Sequence, residues 1–133
     1  MKSICNHVGL FAKKPRELIK YYTEKFGFEE KESKVIPGEV AEKIFGLFAP
    51  CTLTKLKLGQ VTLEIISPDN LKLKERFEDT TGFNHWGLGV EDNETFSQKL
   101  KVRGVSLVEI ESKGRSIFFT KDPEGNLIEI YKV

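Results

Sequence analysis

The sequence predicts an α+β domain made of two tandem βαβββ modules, whose eight strands form a curved mixed sheet around a concave site. Three observations carry that prediction. The chain repeats itself, with His7-Val8-Gly9-Leu10 near the start and His85-Trp86-Gly87-Leu88 past the middle. Each copy leads into a polar helical stretch stopped by a glycine, Gly27 and Gly104, which lie 20 and 19 residues after the histidine. Each half then closes on a strand with an acid between aliphatic residues, Leu63-Glu64-Ile65 and Ile128-Glu129-Ile130. Self-similarity in a fixed order marks a duplicated supersecondary unit. One domain spanning 1–133 is expected, with the first module at about 4–68 and the second at about 82–133.

Each element has a local reason. Residues 4–12 alternate as a strand does. Pro15 suits the first turn of a helix, Leu18, Ile19, Tyr22 and Phe26 make its apolar stripe, and Gly27 ends it. An additional strand is expected at 28–34 and a short helix at 39–48, followed by strands at 53–58 and 61–67 joined by a Gly59-Gln60 turn. A polar connector runs from Pro68 to Thr80. In the second half, 84–91 is a strand, Asp92 or Asn93 caps a helix over 94–103, and Gly104 stops it. Strands at 105–110, 115–120 and 126–132 complete the module, the last two joined by the turn-forming run Asp122-Pro123-Glu124-Gly125-Asn126.

Length and composition narrow the function. At 133 residues, with 39% hydrophobic and 31% charged side chains, the chain has the makeup of one ordinary globular domain. Twenty-one basic against 20 acidic residues leave a net charge of +1, and no basic stripe is interleaved with aromatics, so no nucleic-acid partner is expected. No stretch approaches the roughly 20 apolar residues of a membrane span, and residues 1–12 lack a secretory pattern. Cys5 and Cys51, far apart and outside any C-x-x-C spacing, are expected as buried free thiols of a cytoplasmic protein.

Strand alternation sorts the polar residues. His7, Gly9 and Phe11 share one face of the first strand, and His85, Gly87 and Gly89 share the matching face of its counterpart. The glycines should leave open volume beside each imidazole. Glu64 and Glu129 face away from their aliphatic neighbours, so all four polar side chains project from the face that does not carry the helices. Two imidazoles and two carboxylates form a mixed nitrogen–oxygen set suited to a divalent transition metal: Ni²⁺, Zn²⁺, Co²⁺, Fe²⁺ or Mn²⁺. A cation also offsets the cost of a carboxylate set in an apolar strand. Taken singly, each histidine or glutamate is more simply a satisfied or solvent-facing strand residue. Their equivalent placement in two repeats favours the metal set.

At this point the sequence resembles the vicinal oxygen chelate superfamily, which includes glyoxalase I, methylmalonyl-CoA epimerase, extradiol dioxygenases and bleomycin-resistance proteins. The likeness lies in the His-x-Gly-Leu runs, the Tyr21-to-Glu29 helix end, Leu63-Glu64-Ile65 before Ser67-Pro68, and Phe119 to Glu129, where Asp122-Pro123-x-Gly125-Asn126-x-x-Glu129 is the most specific piece. The resemblance covers nearly the whole chain and is strongest to the glyoxalase I branch. It implies His7, Glu64, His85 and Glu129 as metal ligands, with Glu129 or Glu64 as the catalytic base. The implied activity is a lyase or isomerase reaction by metal-assisted proton transfer on a small oxygen-chelating substrate. A metal-dependent dioxygenase and a non-catalytic small-molecule-binding protein are the alternatives.

Two departures bear on the substrate. Glutathione-using glyoxalases resemble one another in an arginine four residues after the first ligand, where this chain has Phe11, and in an asparagine four residues after the second, where it has Pro68. An apolar substrate pocket lined by Phe11, Tyr131 and Phe119 or Phe48 is the expectation, with ordinary core packing as the equal alternative. Arg115 either reaches an anionic substrate group or is a solvated strand end. A homodimer is expected, with the site either inside one chain or shared across two.

Overall fold

The computed structural model describes all 133 residues. They divide into two compact units, Met1–Glu75 and Arg76–Val133. No helix is long and apolar enough to cross a membrane.

The first unit contains β1 (Val8–Phe11), α1 (Pro15–Tyr21), β2 (Glu29–Ile36), α2 (Gly38–Phe45), β3 (Cys51–Leu58) and β4 (Val61–Pro68). The strands order as β1-β4-β3-β2, with β1 parallel to β4 and the other pairs antiparallel. Pro15 opens α1 as expected, but the helix does not run unchanged to Gly27: Tyr22–Phe26 widens into a π-turn. That turn lets Tyr22 and Phe26 both bury, with Phe28 packed edge-on against Tyr22 at 5.6 Å between ring centres. Gly27 then ends the helix with φ of +88°, a left-handed conformation that costs any residue with a Cβ about 1 kcal/mol or more.

One face of this sheet packs on α1 through Leu10, Leu56, Leu63 and Ile65, all buried. Each fully buried aliphatic side chain contributes roughly 1.5–3 kcal/mol. The opposite face is divided. At one end α2 lays Ala41 and Phe45 over Ile36, Cys51, Leu53 and Ile66. The other end stays polar and carries Glu64 and Lys55, which are direct cross-strand partners.

The second unit contains β5 (His85–Val90), α3 (Asn93–Val102), β6 (Val108–Ser112), β7 (Arg115–Lys121) and β8 (Leu127–Lys132), ordered β5-β8-β7-β6. This is the same topology, again with the first strand parallel to the last. Asp92 caps α3 by accepting from the Thr95 backbone N–H at 2.9 Å. Leu100 of that helix is buried, as are Leu88, Phe118, Ile128 and Ile130 of the sheet beneath it.

The β7–β8 turn is fixed from inside. Buried Asp122 accepts through Oδ1 from the Glu124 and Asn126 backbone N–H groups at 2.9 and 3.0 Å, and through Oδ2 from the Asn126 side chain at 2.9 Å. A side chain that satisfies its own turn sets the register of the hairpin, and here it places Glu129 opposite Phe119.

The two βαβββ modules and eight strands of an α+β fold are therefore as the sequence predicts, with hydrogen bonds grouping the strands four and four. One expectation is corrected: Cys51 is buried, but Cys5 is exposed, because it precedes β1 in a segment without regular structure.

Candidate functional site

Each unit brings together one imidazole and one carboxylate. In the first, His7 stands just before β1, whose Gly9 pairs with Glu64 on β4. The His7 Nε2 lies 3.6 Å from Glu64 Oε2. In the second, Gly87 pairs with Glu129, and His85 Nε2 lies 3.1 Å from Glu129 Oε2. The carboxylates are largely sheltered, with side chains 16% and 25% exposed, while the imidazoles remain accessible. No group of three or more His, Cys, Asp or Glu side chains stands arranged to hold a metal ion.

The donor chemistry fits half a metal site in each unit. Imidazole nitrogen and carboxylate oxygen each bind Zn²⁺ at about 2.0–2.2 Å, so two such donors at a right angle on one ion lie about 3 Å apart. The distances in both pairs are close to that spacing. His7, Glu64, His85 and Glu129 are thus the residues that could hold a divalent ion.

The surroundings of the two pairs differ. Lys55 Nζ is 4.0 Å from Glu64 and 3.0 Å from Glu32, forming a charged row across the first sheet. The hydrogen bond from Lys55 holds the Glu32 carboxyl below the usual range, and Glu32, then Glu64, raise the Lys55 ammonium above its own. In the second unit, the strand position facing the glutamate holds Phe119, whose ring meets His85 edge-on at 6.0 Å. One half braces its glutamate with a cation; the other sets an aromatic wall beside its histidine.

A cavity of about 890 Å³ opens in the second unit, lined by Glu129, Tyr131, Arg115, Lys113 and Lys132 among others. Of the four residues expected to contact substrate, Tyr131 and Arg115 line it. Phe119 lies edge-on to His85. Phe11 belongs to the first unit, 41% exposed and edge-on to Phe45 at 5.6 Å. The expected open space beside the glycines is also modified. The Tyr131 ring lies across Gly87, where a Cβ would come within 3.1 Å of it, so the missing side chain seats an aromatic ring.

Three further groups escape a reading of single motifs. Lys55 follows from the Gly59-Gln60 turn, which by antiparallel counting sets residue 55 opposite 64. Asn6 and Asn84 become visible when the repeat is extended one residue upstream, because both copies begin Asn-His.

The family model of the Glyoxalase/Bleomycin resistance protein/Dioxygenase superfamily matches residues 4–130. The chain belongs to this superfamily. Members typically bind divalent metals and act on or bind small molecules. Among solved structures, a glyoxylase/bleomycin resistance protein/dioxygenase domain from Frankia sp. EAN1pec is similar with a TM-score of 0.80 at 17% identity, over 99% of this chain and 93% of that one. The trypanothione-dependent glyoxalase I of Leishmania major is similar with a TM-score of 0.69 at 21% identity, over 98% and 87%. An antibiotic-binding protein, TnmS3 of Streptomyces sp. CB03234, is similar with a TM-score of 0.65 at 15% identity, over 98% and 96%. At these identities the likeness establishes the shared fold. A search of curated protein sequences gives no match.

Proposed function

We propose that this superfamily member is a divalent-metal-dependent lyase or isomerase of the glyoxalase kind, acting by proton transfer on a small substrate with adjacent oxygens. The supporting observation is the duplicated His–Glu pair, 3.6 Å apart in one unit and 3.1 Å in the other. His7, Glu64, His85 and Glu129 would hold the ion. When bound, a divalent ion supplies Lewis acidity that polarises a substrate carbonyl.

The chain's own residues divide the remaining work. Glu129 lines the cavity, so its carboxylate takes the proton from carbon beside the carbonyl and returns it to the neighbouring position. Glu64, flanked by His7 and Lys55, serves as a ligand and stays where it is held. Arg115 and Lys113 present cations at the cavity mouth, which suits a substrate with an anionic group. Phe11 and buried Pro68 occupy the two positions where glutathione-using relatives carry polar handles, which disfavours a glutathione adduct. Two pairs complete one centre, either within a chain or across an isologous homodimer. Two unpaired cysteines suit a reducing compartment such as the cytoplasm.

Reconstitution with Ni²⁺, Zn²⁺, Co²⁺, Fe²⁺ or Mn²⁺, followed by turnover assays on methylglyoxal with several thiols and on acyl-CoA epimers, tests the reading. The Glu129→Gln variant is expected to lose at least about a hundredfold in turnover, the usual scale of general-base catalysis. Less than about a tenth of an equivalent of metal after reconstitution would overturn the proposal. The fold shared with an antibiotic-binding protein supports a second reading, a non-catalytic binding protein. That reading is favoured if Glu129→Gln leaves small-molecule affinity intact in a metal-free protein.

A further inference from the structure

Building on the metal-centre reading, we infer that Asn6 and Asn84 are positioning residues that hold His7 and His85 in the Nδ1–H tautomer, with each Nε2 lone pair aimed at its glutamate. A neutral imidazole carries one N–H, and the partner of one ring nitrogen decides which nitrogen that is. The amide oxygen of asparagine can only accept. It lies 3.1 Å from Nδ1 in the Asn6–His7 pair and 2.9 Å in the Asn84–His85 pair. In a neutral ring the proton therefore sits on Nδ1 in both halves.

The consequence appears at the other end of each ring. Nε2 is left as an acceptor, and it faces a carboxylate oxygen, also an acceptor, at 3.6 and 3.1 Å. Two acceptors at that separation favour a cation between them. A hydrogen bond from a neutral imidazole to the glutamate needs the opposite tautomer, which an amide oxygen at Nδ1 opposes. Asparagine also does this without charge, so it orients the ring and leaves the electrostatics to the glutamate. An aspartate there would add a negative charge beside each imidazole.

The second half shows how the asparagine is itself anchored. The Arg76 guanidinium donates to the Phe83 carbonyl at 3.0 Å and to the Asn84 carbonyl, pinning the segment that delivers Asn84 and His85 into β5. The same Asn-His order precedes β1, where the Cys5 thiol donates to the His7 carbonyl at 3.6 Å. Two copies of one local arrangement, reached from separate stretches of chain, argue for a shared task.

The test uses the whole protein and isosteric changes at exposed positions. His7 and His85 are the chain's only histidines, so long-range ¹H–¹⁵N spectra of the metal-free protein, recorded over a pH series that isolates the neutral rings, report both directly. Both are expected to show the Nδ1–H pattern. Asn6→Leu and Asn84→Leu should each shift only the neighbouring ring toward Nε2–H and lower Zn²⁺ affinity by roughly 10- to 100-fold. Asn84→Asp, which keeps an acceptor, should retain the Nδ1–H tautomer and should not lower the affinity. Nε2–H imidazoles in the wild type, or leucine variants that leave tautomer and Zn²⁺ affinity unchanged, overturn the inference. A wild-type protein that binds no Zn²⁺ defeats the metal-centre reading instead, and the tautomer spectra then decide this one alone.

Discussion

At Gly87 the missing side chain makes room for a ring: a Cβ there would press to 3.1 Å on Tyr131. Gly89 is under the same constraint, since a Cβ there would meet both Tyr131 and Val133. Overpacking of this kind costs on the order of 1–3 kcal/mol. Gly87→Ala is therefore expected to destabilise the protein by about 1 kcal/mol. Adding Tyr131→Ala should remove most of that penalty, and a double-mutant cycle in urea measures the coupling. Additive effects would show that the ring does not depend on the glycine. Because Tyr131 also lines the cavity, Gly87→Ala should weaken substrate binding even where folding is preserved.

Between elements, the main electrostatic link in the first sheet joins β2, β3 and β4 through Glu32, Lys55 and Glu64. A bulge between Glu30 and Glu32 restores the pairing that sets Glu32 directly beside Lys55. Lys55 holds the Glu32 carboxyl below its ordinary value, so this contribution is present above the unfolded carboxylate pKa and is lost as pH falls through the folded one. The Lys55 ammonium is raised, so its contribution persists below the unfolded lysine value and disappears only as pH rises through the folded one. The window runs from roughly pH 4 to pH 10. The Tm gap between wild type and Lys55→Met should be full at neutral pH and narrow at about pH 3. An equal gap at both pH values would mean that Lys55 acts through its packed stem alone. Both residues are solvent-accessible, so added salt should also shrink the gap.

For the molecule as a whole, the proposed metal centre requires both His–Glu pairs. His7→Ala and His85→Ala are each expected to abolish stoichiometric metal loading, which elemental analysis would show; full loading in either variant would refute the two-pair centre. Mixing the two variants then distinguishes the assemblies. A centre inside one chain gives no recovery, whereas a centre shared across an isologous dimer regains one site in each mixed dimer. Much of the fold was legible in the sequence. The His-x-Gly-Leu echoes, the glycine stops and the acids between aliphatics depend on local periodicity, so they assign His7, Glu64, His85 and Glu129 to matching positions of the two modules. The Gly59-Gln60 turn even sets Lys55 opposite Glu64, because hairpin register is counted from the turn. Tertiary structure alone decided which of those faces met what. The parallel pairing of β1 with β4 and of β5 with β8 joins strands separated by the rest of their modules. Nothing in the local pattern sets the contacts that depend on that pairing: the His–Glu distances, the Tyr131 ring over Gly87, and the edge contact of Phe11 with Phe45.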